Sequence, residues 1–149
     1  MKISVAFDHG AVQLRTAILD LLSREGHEVI DHGTNSTDSV DYPDYARLVA
    51  DDVSSGRSDA GVLCCTTGIG MSIAANKVKG IRASVVHHED EAVLTRRHND
   101  SNVLCIGALH TDPENAAKLV KAYLDNSFEG GRHDRRVGKF IAWENDSCV

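Results

Sequence analysis

Short apolar runs alternate with amphipathic segments along almost the whole chain. Residues 3–7 form an apolar run that stops at the polar Asp8, His9 and Gly10, the pattern of a buried strand. Leu14, Ile18, Leu21 and Leu22 then recur at helical spacing, and Gly26 supplies a C-terminal stop. Val29 and Ile30 suggest a second strand, followed by a loop over 33–41 rich in Gly, Thr, Asn, Ser and Asp. Pro43 suits the first turn of a helix whose apolar side is Ala46, Val49, Ala50 and Val53, closed by serines and Gly56.

From Ala60 to Cys65 the chain is apolar at successive positions, as a strand covered on both faces must be. Glycines follow at once, then a helix predicted over 71–77, so strand, turn and helix adjoin directly. A fourth strand is expected over 83–86, a helix over 89–97, a fifth strand over 103–106 and a helix over 113–124 carrying Ala116, Leu119, Val120 and Tyr123. Alternating units this short predict a parallel, doubly wound α/β sheet in one domain spanning residues 1–149. The tail from Phe128 breaks the rhythm. It is rich in glycine and arginine, and Phe140, Ile141 and Trp143 offer apolar anchors on a last helix expected to lie over the domain or over a partner subunit.

Composition narrows the function classes. The formal charge of −6 argues against a nucleic-acid coat, which requires a basic excess, so any bound anion must meet a local cationic cluster. The N-terminal apolar run is too short for a signal segment, and no stretch is long enough to span a bilayer. Cysteines 64, 65, 105 and 148 lack disulfide-framework spacing. A reducing, cytoplasmic setting is expected, with no nucleic-acid or membrane partner.

In open parallel sheets, ligands bind beyond the carboxyl ends of the strands. That rule selects Asp8 and His9 after the first strand and Cys65, Thr66, Thr67, Gly68 and Gly70 after the third. Glycines there let backbone N–H groups turn toward an anion, and a thiol in that setting is favoured as the thiolate. Successive strand residues face opposite sides, so Cys64 is expected to pack in the core while Cys65 opens into the turn. Cys105 and Cys148 are expected to be structural or incidental. His98 sits among amides and a carboxylate just before the fifth strand. Arg132, Arg135 and Arg136 cluster in an otherwise acidic chain, and an arginine fork matches phosphate geometry. Neither HExxH nor a zinc spacing occurs, and no metal is expected.

Several unusual words occur in one order: FDHG near the start, DYPDYA at 41–46, CTTGIGMSIAANK at 65–77, GIRA at 80–83, RRHNDSNVL at 96–104 and EGGRHDRRV at 129–137. Over nearly its whole length the chain resembles the ribose-5-phosphate isomerase B family, which includes allose-6-phosphate and galactose-6-phosphate isomerases. The resemblance implies a Rossmann-like α/β/α sandwich with a five-stranded parallel sheet, acting on a phosphorylated sugar as a homodimer or tetramer. Each site would be shared between subunits, with no metal or organic cofactor. It further implies Cys65 as the base that moves a proton between C1 and C2, Thr67 as a helper in ring opening and His98 as the acid that opens the ring. Asp8 and His9 would hold hydroxyls or phosphate. The backbone of Thr66, Thr67, Gly68, Ile69 and Gly70 would hold the enediolate, Asn99 a neighbouring oxygen, and Arg132 and Arg136 the phosphate, with Tyr42 lining the pocket.

Two positions depart from that pattern. Thr66 stands where the turn usually has glycine, and Leu109 followed by His110 stands where many relatives have a phosphate-binding arginine. Either His110 substitutes, the other arginines suffice, or the substrate differs from ribose 5-phosphate. The resemblance implies interconversion of ribose 5-phosphate and ribulose 5-phosphate, with a six-carbon sugar phosphate such as allose 6-phosphate as the alternative. Two readings of other kinds remain open on the residues alone. A cysteine phosphatase would need an arginine six residues after the cysteine, where this chain has Met71. A non-catalytic sugar-phosphate binding module would leave Cys65 and His98 without a use.

Overall fold

In the computed structural model of the chain, which describes residues 1–146, the apolar runs become five parallel strands. They are β1 (Lys2–Phe7), β2 (Glu28–Asp31), β3 (Ala60–Cys65), β4 (Ala83–Val85) and β5 (Val103–Gly107). Between and after them come α1 (Val12–Arg24), α2 (Tyr42–Ser54), α3 (Ile69–Ala75), α4 (Glu89–Asn99), α5 (Pro113–Leu124) and α6 (Asp134–Asp146). The spatial order is β2-β1-β3-β5-β4. Cys148 lies outside the described residues.

Strand residues alternate between two helical layers. Val5, Phe7, Val62, Cys64, Leu104 and Ile106 pack on one side against Leu14, Ile18, Leu22, Ala92, Val120 and Tyr123 of α1, α4 and α5. Ala6, Leu63, Cys65, Val103 and Cys105 face the other side, against Ala46, Val49, Met71 and Ala75 of α2 and α3. Helices on both faces make every central strand position a buried one, which is why β3 reads as an unbroken apolar run.

The boundaries shift where backbone turns intervene. The third helix starts at Ile69 and ends at Ala75, earlier at both ends than the 71–77 predicted from apolar spacing. Gly68, at φ +76°, reverses the chain within one residue, so the helix begins directly after it. Its Cα also lies against β5; an added Cβ would sit 3.1 Å from the Ile106 carbonyl carbon. At the other end of the sheet α4 runs two residues beyond the predicted 97, to Asn99, and stops at Asp100, a non-glycine residue at φ 47°. Arg82 Nη2 and Arg96 Nη1 grip its two carboxylate oxygens, each at 2.8 Å, and hold this left-handed turn. A single 3₁₀ turn, Gly131–His133, leads into α6. Val137 is the buried residue of α6, whereas Phe140, Ile141 and Trp143 stay exposed within one copy of the chain. No helix among the described residues is long and apolar enough to cross a membrane.

Candidate active site

The first set of polar residues gathers where β1 and β3 end side by side. The Asp8 N–H donates to the Cys64 carbonyl at 2.9 Å, and Ala108 and Leu109 donate to the carbonyls of Cys65 and Thr66 at 3.0 and 2.9 Å. Three chain segments are thereby locked around the start of the turn after β3. The ends of β1 and β3, with the start of α2, line a cleft of about 490 Å³ bordered by Asp8, His9, Tyr42, Cys65, Thr66 and Thr67, with Ile69, Gly70 and Ile73 completing the wall.

Cys65 is 4 % exposed, and the Gly68 N–H donates to its sulfur at 3.1 Å. Cys64 points into the opposite layer, where burial, and then the neighbouring Cys105, Cys65 and Asp8, raise its pKa well above the ordinary thiol value. Burial and the nearby Cys65 likewise push up the pKa of Cys105. The two adjacent thiols thus divide as the strand alternation requires: one packs and one faces the cleft.

Asp8 is 3 % exposed, and burial raises its pKa although Gly10 N–H donates to its Oδ1 at 2.8 Å and His9 lies nearby. His9 accepts a hydrogen bond at Nδ1 from the Val40 N–H, at 3.2 Å. The hydroxyl end of the Tyr42 ring lies against Gly70, whose missing side chain makes room for it; a Cβ there would fall 2.6–2.9 Å from the ring and hydroxyl atoms. Thr66 has a similar accommodation. Its Oγ1 occupies the space beside Gly10, only 2.1 Å from where a Gly10 Cβ would stand.

The remaining expected site residues lie elsewhere. His98, in the last turn of α4, stacks on His133 with ring centroids 4.2 Å apart and planes 10° from parallel. Glu129 Oε2 approaches both rings, 3.6 Å from His98 Nε2 and 3.9 Å from His133 Nε2. Arg97 holds the other oxygen of Glu129, from Nε at 2.6 Å and from Nη2, and lowers its pKa. Arg132 donates from Nε to His133 Nε2 at 3.4 Å. Burial, then the positive charges of His98, Arg132 and Arg136, lower the His133 pKa and favour its neutral ring, against the pull of Glu129. Arg136 is exposed in the first turns of α6, and Asn99 borders a cleft with Phe140 and Glu144. His133, Glu129 and Arg97 are the members of this cluster that sequence reasoning did not single out. The first two lie inside the EGGRHDRRV word, and that word was the available signal. Ligand atoms of His98, Glu129 and His133 fall within 4.8 Å of one another, the one trio among the described residues placed to hold a metal ion. Arg97 already neutralises its carboxylate.

This second cluster belongs to the opposite end of the sheet. The Asn102 carbonyl, four residues after His98, accepts from Gly61 N–H at the start of β3, whereas Cys65 closes that strand. Four strand residues separate the two levels by about 13 Å along β3. His98 and Cys65 of one chain therefore do not share a cleft. His110 lines yet another cleft, with His87 and His88, away from the one that holds Cys65. Leu109 is 61 % exposed beside the Thr66 turn.

Known proteins resemble this chain over nearly its whole length. The sequence profile of the ribose/galactose isomerase family matches residues 3–140. Ribose-5-phosphate isomerase B of Escherichia coli is 46% identical over 143 residues, covering 96% of each chain. The structure of ribose-5-phosphate isomerase B from Clostridium thermocellum superposes with a TM-score of 0.95 at 46% identity, over 98% of this chain and 99% of that one. The Mycoplasma genitalium enzyme of the same name, with bound ribulose 5-phosphate, superposes with a TM-score of 0.93 at 41% identity, over 98% and 97%.

Proposed function

The chain belongs to the ribose/galactose isomerase family, and from that premise we propose that it interconverts ribose 5-phosphate and ribulose 5-phosphate through an enediolate. The observation that carries this reading is the Cys65 thiol at the edge of the cleft, with the Gly68 N–H on its sulfur and Asp8 and His9 lining the same cleft.

Aldose becomes ketose when C2 loses a proton and C1 gains one. The Cys65 thiolate takes the C2 proton; the C–H electrons form the C1–C2 double bond, and the carbonyl electrons move onto O1. The barrier is dominated by that oxyanion. N–H donors of the turn from Thr66 to Gly70, fixed before the substrate arrives, stabilise it by about 3 kcal/mol per donor in comparable sites. The O2–H proton then passes to O1 as C2 becomes the carbonyl, and the Cys65 thiol returns its proton to C1. Before this, the furanose ring must open: an acid protonates the ring oxygen as the C1 hydroxyl gives up its proton. His98 serves as that acid, with Thr67 assisting. Arg132 and Arg136 hold the phosphate, and Asn99 a neighbouring sugar oxygen.

His98, Asn99, Arg132 and Arg136 reach the Cys65 cleft from a second copy of the chain. The exposed Ile69 and Ile73 beside that cleft and the exposed Phe140, Ile141 and Trp143 of α6 are the apolar surface such an assembly would cover. The C-terminal helix then lies over the partner. The thiols Cys64, Cys65 and Cys105 are free, as the cytoplasm would keep them. A phosphatase reading fails on chemistry: Met71, where the phosphate-clamping arginine would stand, is fully buried in the core beneath Cys65.

Steady-state kcat/KM on ribose 5-phosphate, allose 6-phosphate and unphosphorylated ribose tests the reading. Ribose 5-phosphate should be preferred and ribulose 5-phosphate its product. Release of inorganic phosphate, or equal rates with unphosphorylated ribose, would refute it.

A further inference from the structure

The loop between β2 and α2 contributes a hydrogen bond whose direction decides what His9 can do. A backbone N–H can only donate, so the Val40 amide, 3.2 Å from His9 Nδ1, requires that nitrogen to be bare. The proton of the neutral ring then sits on Nε2, and the ring lines the Cys65 cleft. We infer that the Val40 amide fixes His9 as an Nε2–H donor to a substrate oxygen and not as a proton-accepting base.

The loop is built to hold that amide in place. At its start His32 N–H donates to the Val5 carbonyl and Thr34 N–H to the Phe7 carbonyl, extending the pairing with β1 past the end of β2. Gly33 lies so close to β1 that a Cβ would fall 2.5 Å from Phe7 N. The His32 ring reaches down to the buried Asp52 carboxylate at 2.7 Å, which also accepts from the Ser4 hydroxyl at 2.9 Å. Two side-chain turns then follow in series, Ser36 N–H to Thr34 Oγ1 and Asp38 N–H to Ser36 Oγ. Four residues beyond Ser36 the loop delivers Val40 to His9, just before Tyr42 opens α2. Asp8 and His9 consequently differ in kind: a carboxylate that can accept and an imidazole that donates, side by side on one wall of the cleft. His9 acts here as a binding residue and Val40 as the residue that positions it.

This rests on the isomerase reading only for what the donor meets, so the test has one arm that needs no substrate. Nitrogen-15 spectra of the free protein should show His9 protonated at Nε2 and bare at Nδ1; protonation at Nδ1 would overturn the inference. The second arm separates the two nitrogens. In His9→Asn the amide oxygen replaces Nδ1 and keeps the Val40 amide protected from hydrogen exchange, but no donor reaches the cleft, and kcat/KM should fall about a hundredfold. In His9→Gln the longer amide restores a donor near the Nε2 position while Val40 loses protection, and kcat/KM should fall only about tenfold. Equal losses in the two variants, or a larger loss in His9→Gln, would refute the donor role. A wild-type protein inactive on every sugar phosphate would refute the isomerase reading and leave the tautomer to be decided by the spectra.

Discussion

Cys64 and Cys65 differ by one strand position and by nearly everything that follows from it. Cys64 is sealed between β3 and the α1, α4 and α5 layer, whereas Cys65 meets both the Gly68 N–H and the cleft. A small alkylating reagent should therefore modify Cys65 first, with Cys64 and Cys105 protected until the protein unfolds, as peptide mass mapping would show. Replacing Cys65 with alanine should lower kcat about 10²–10⁴-fold without unfolding the chain, the range a positioned proton-transfer group supplies. Near-normal turnover in that variant would remove the thiol from the mechanism. Gly70 is a second single-residue constraint. A Cβ at that position collides with the Tyr42 ring at 2.6 Å, so Gly70→Ala should swing the tyrosine away and raise KM by up to about a hundredfold, while circular dichroism stays native.

Helix α2 does two jobs, presenting Tyr42 to the cleft at its start and burying Asp52 near its end. Burial alone would raise the Asp52 pKa. Hydrogen bonds from His32 and Ser4 and the charges of His32 and Arg57 outweigh it and hold the carboxyl below its ordinary value of 3.8. The unfolded chain therefore takes up this proton first as pH falls. The resulting stabilisation is complete above the ordinary carboxylate value and is lost as pH drops below it. Asp52→Asn should destabilise the protein by about 2 kcal/mol at neutral pH and flatten the acid limb of a stability-versus-pH curve measured by chemical denaturation. An unchanged acid limb would show that other carboxylates control it. Among the other elements α6 stands apart: Val137 is its buried residue, and near its end the Glu144 carboxylate accepts from the Gly80 N–H at 3.2 Å.

At the scale of the whole molecule the two polar clusters lie at opposite edges of the sheet, the one around Cys65 at the carboxyl edge and the one around His98 at the amino edge. If the working site takes Cys65 from one chain and His98 from another, two separately inactive variants can repair each other. Cys65→Ala and His98→Ala proteins, mixed and re-annealed, should recover about a quarter of wild-type activity, since half of randomly formed dimers are mixed and each carries one intact site. No recovery, with mixed dimers demonstrated by mass spectrometry, would mean that each chain works alone.

The periodicity of apolar residues determined the elements and their parallel pairing, because burial on both faces leaves no choice but continuous apolar strands. The carboxyl-edge rule with strand alternation located Asp8, His9 and Cys65, since all three follow local patterns that survive any strand order. Tertiary structure alone decided the order β2-β1-β3-β5-β4 and the start of α3 at a left-handed glycine. It also decided the stacking of His98 on His133 across 35 residues and the approach of Val40 to His9. These depend on which distant segments the crossovers bring together, and local spacing carries no record of that. For the same reason the family resemblance could assign Cys65 and His98 to one site shared between subunits, and only the fold placed them at opposite ends of the sheet within each chain.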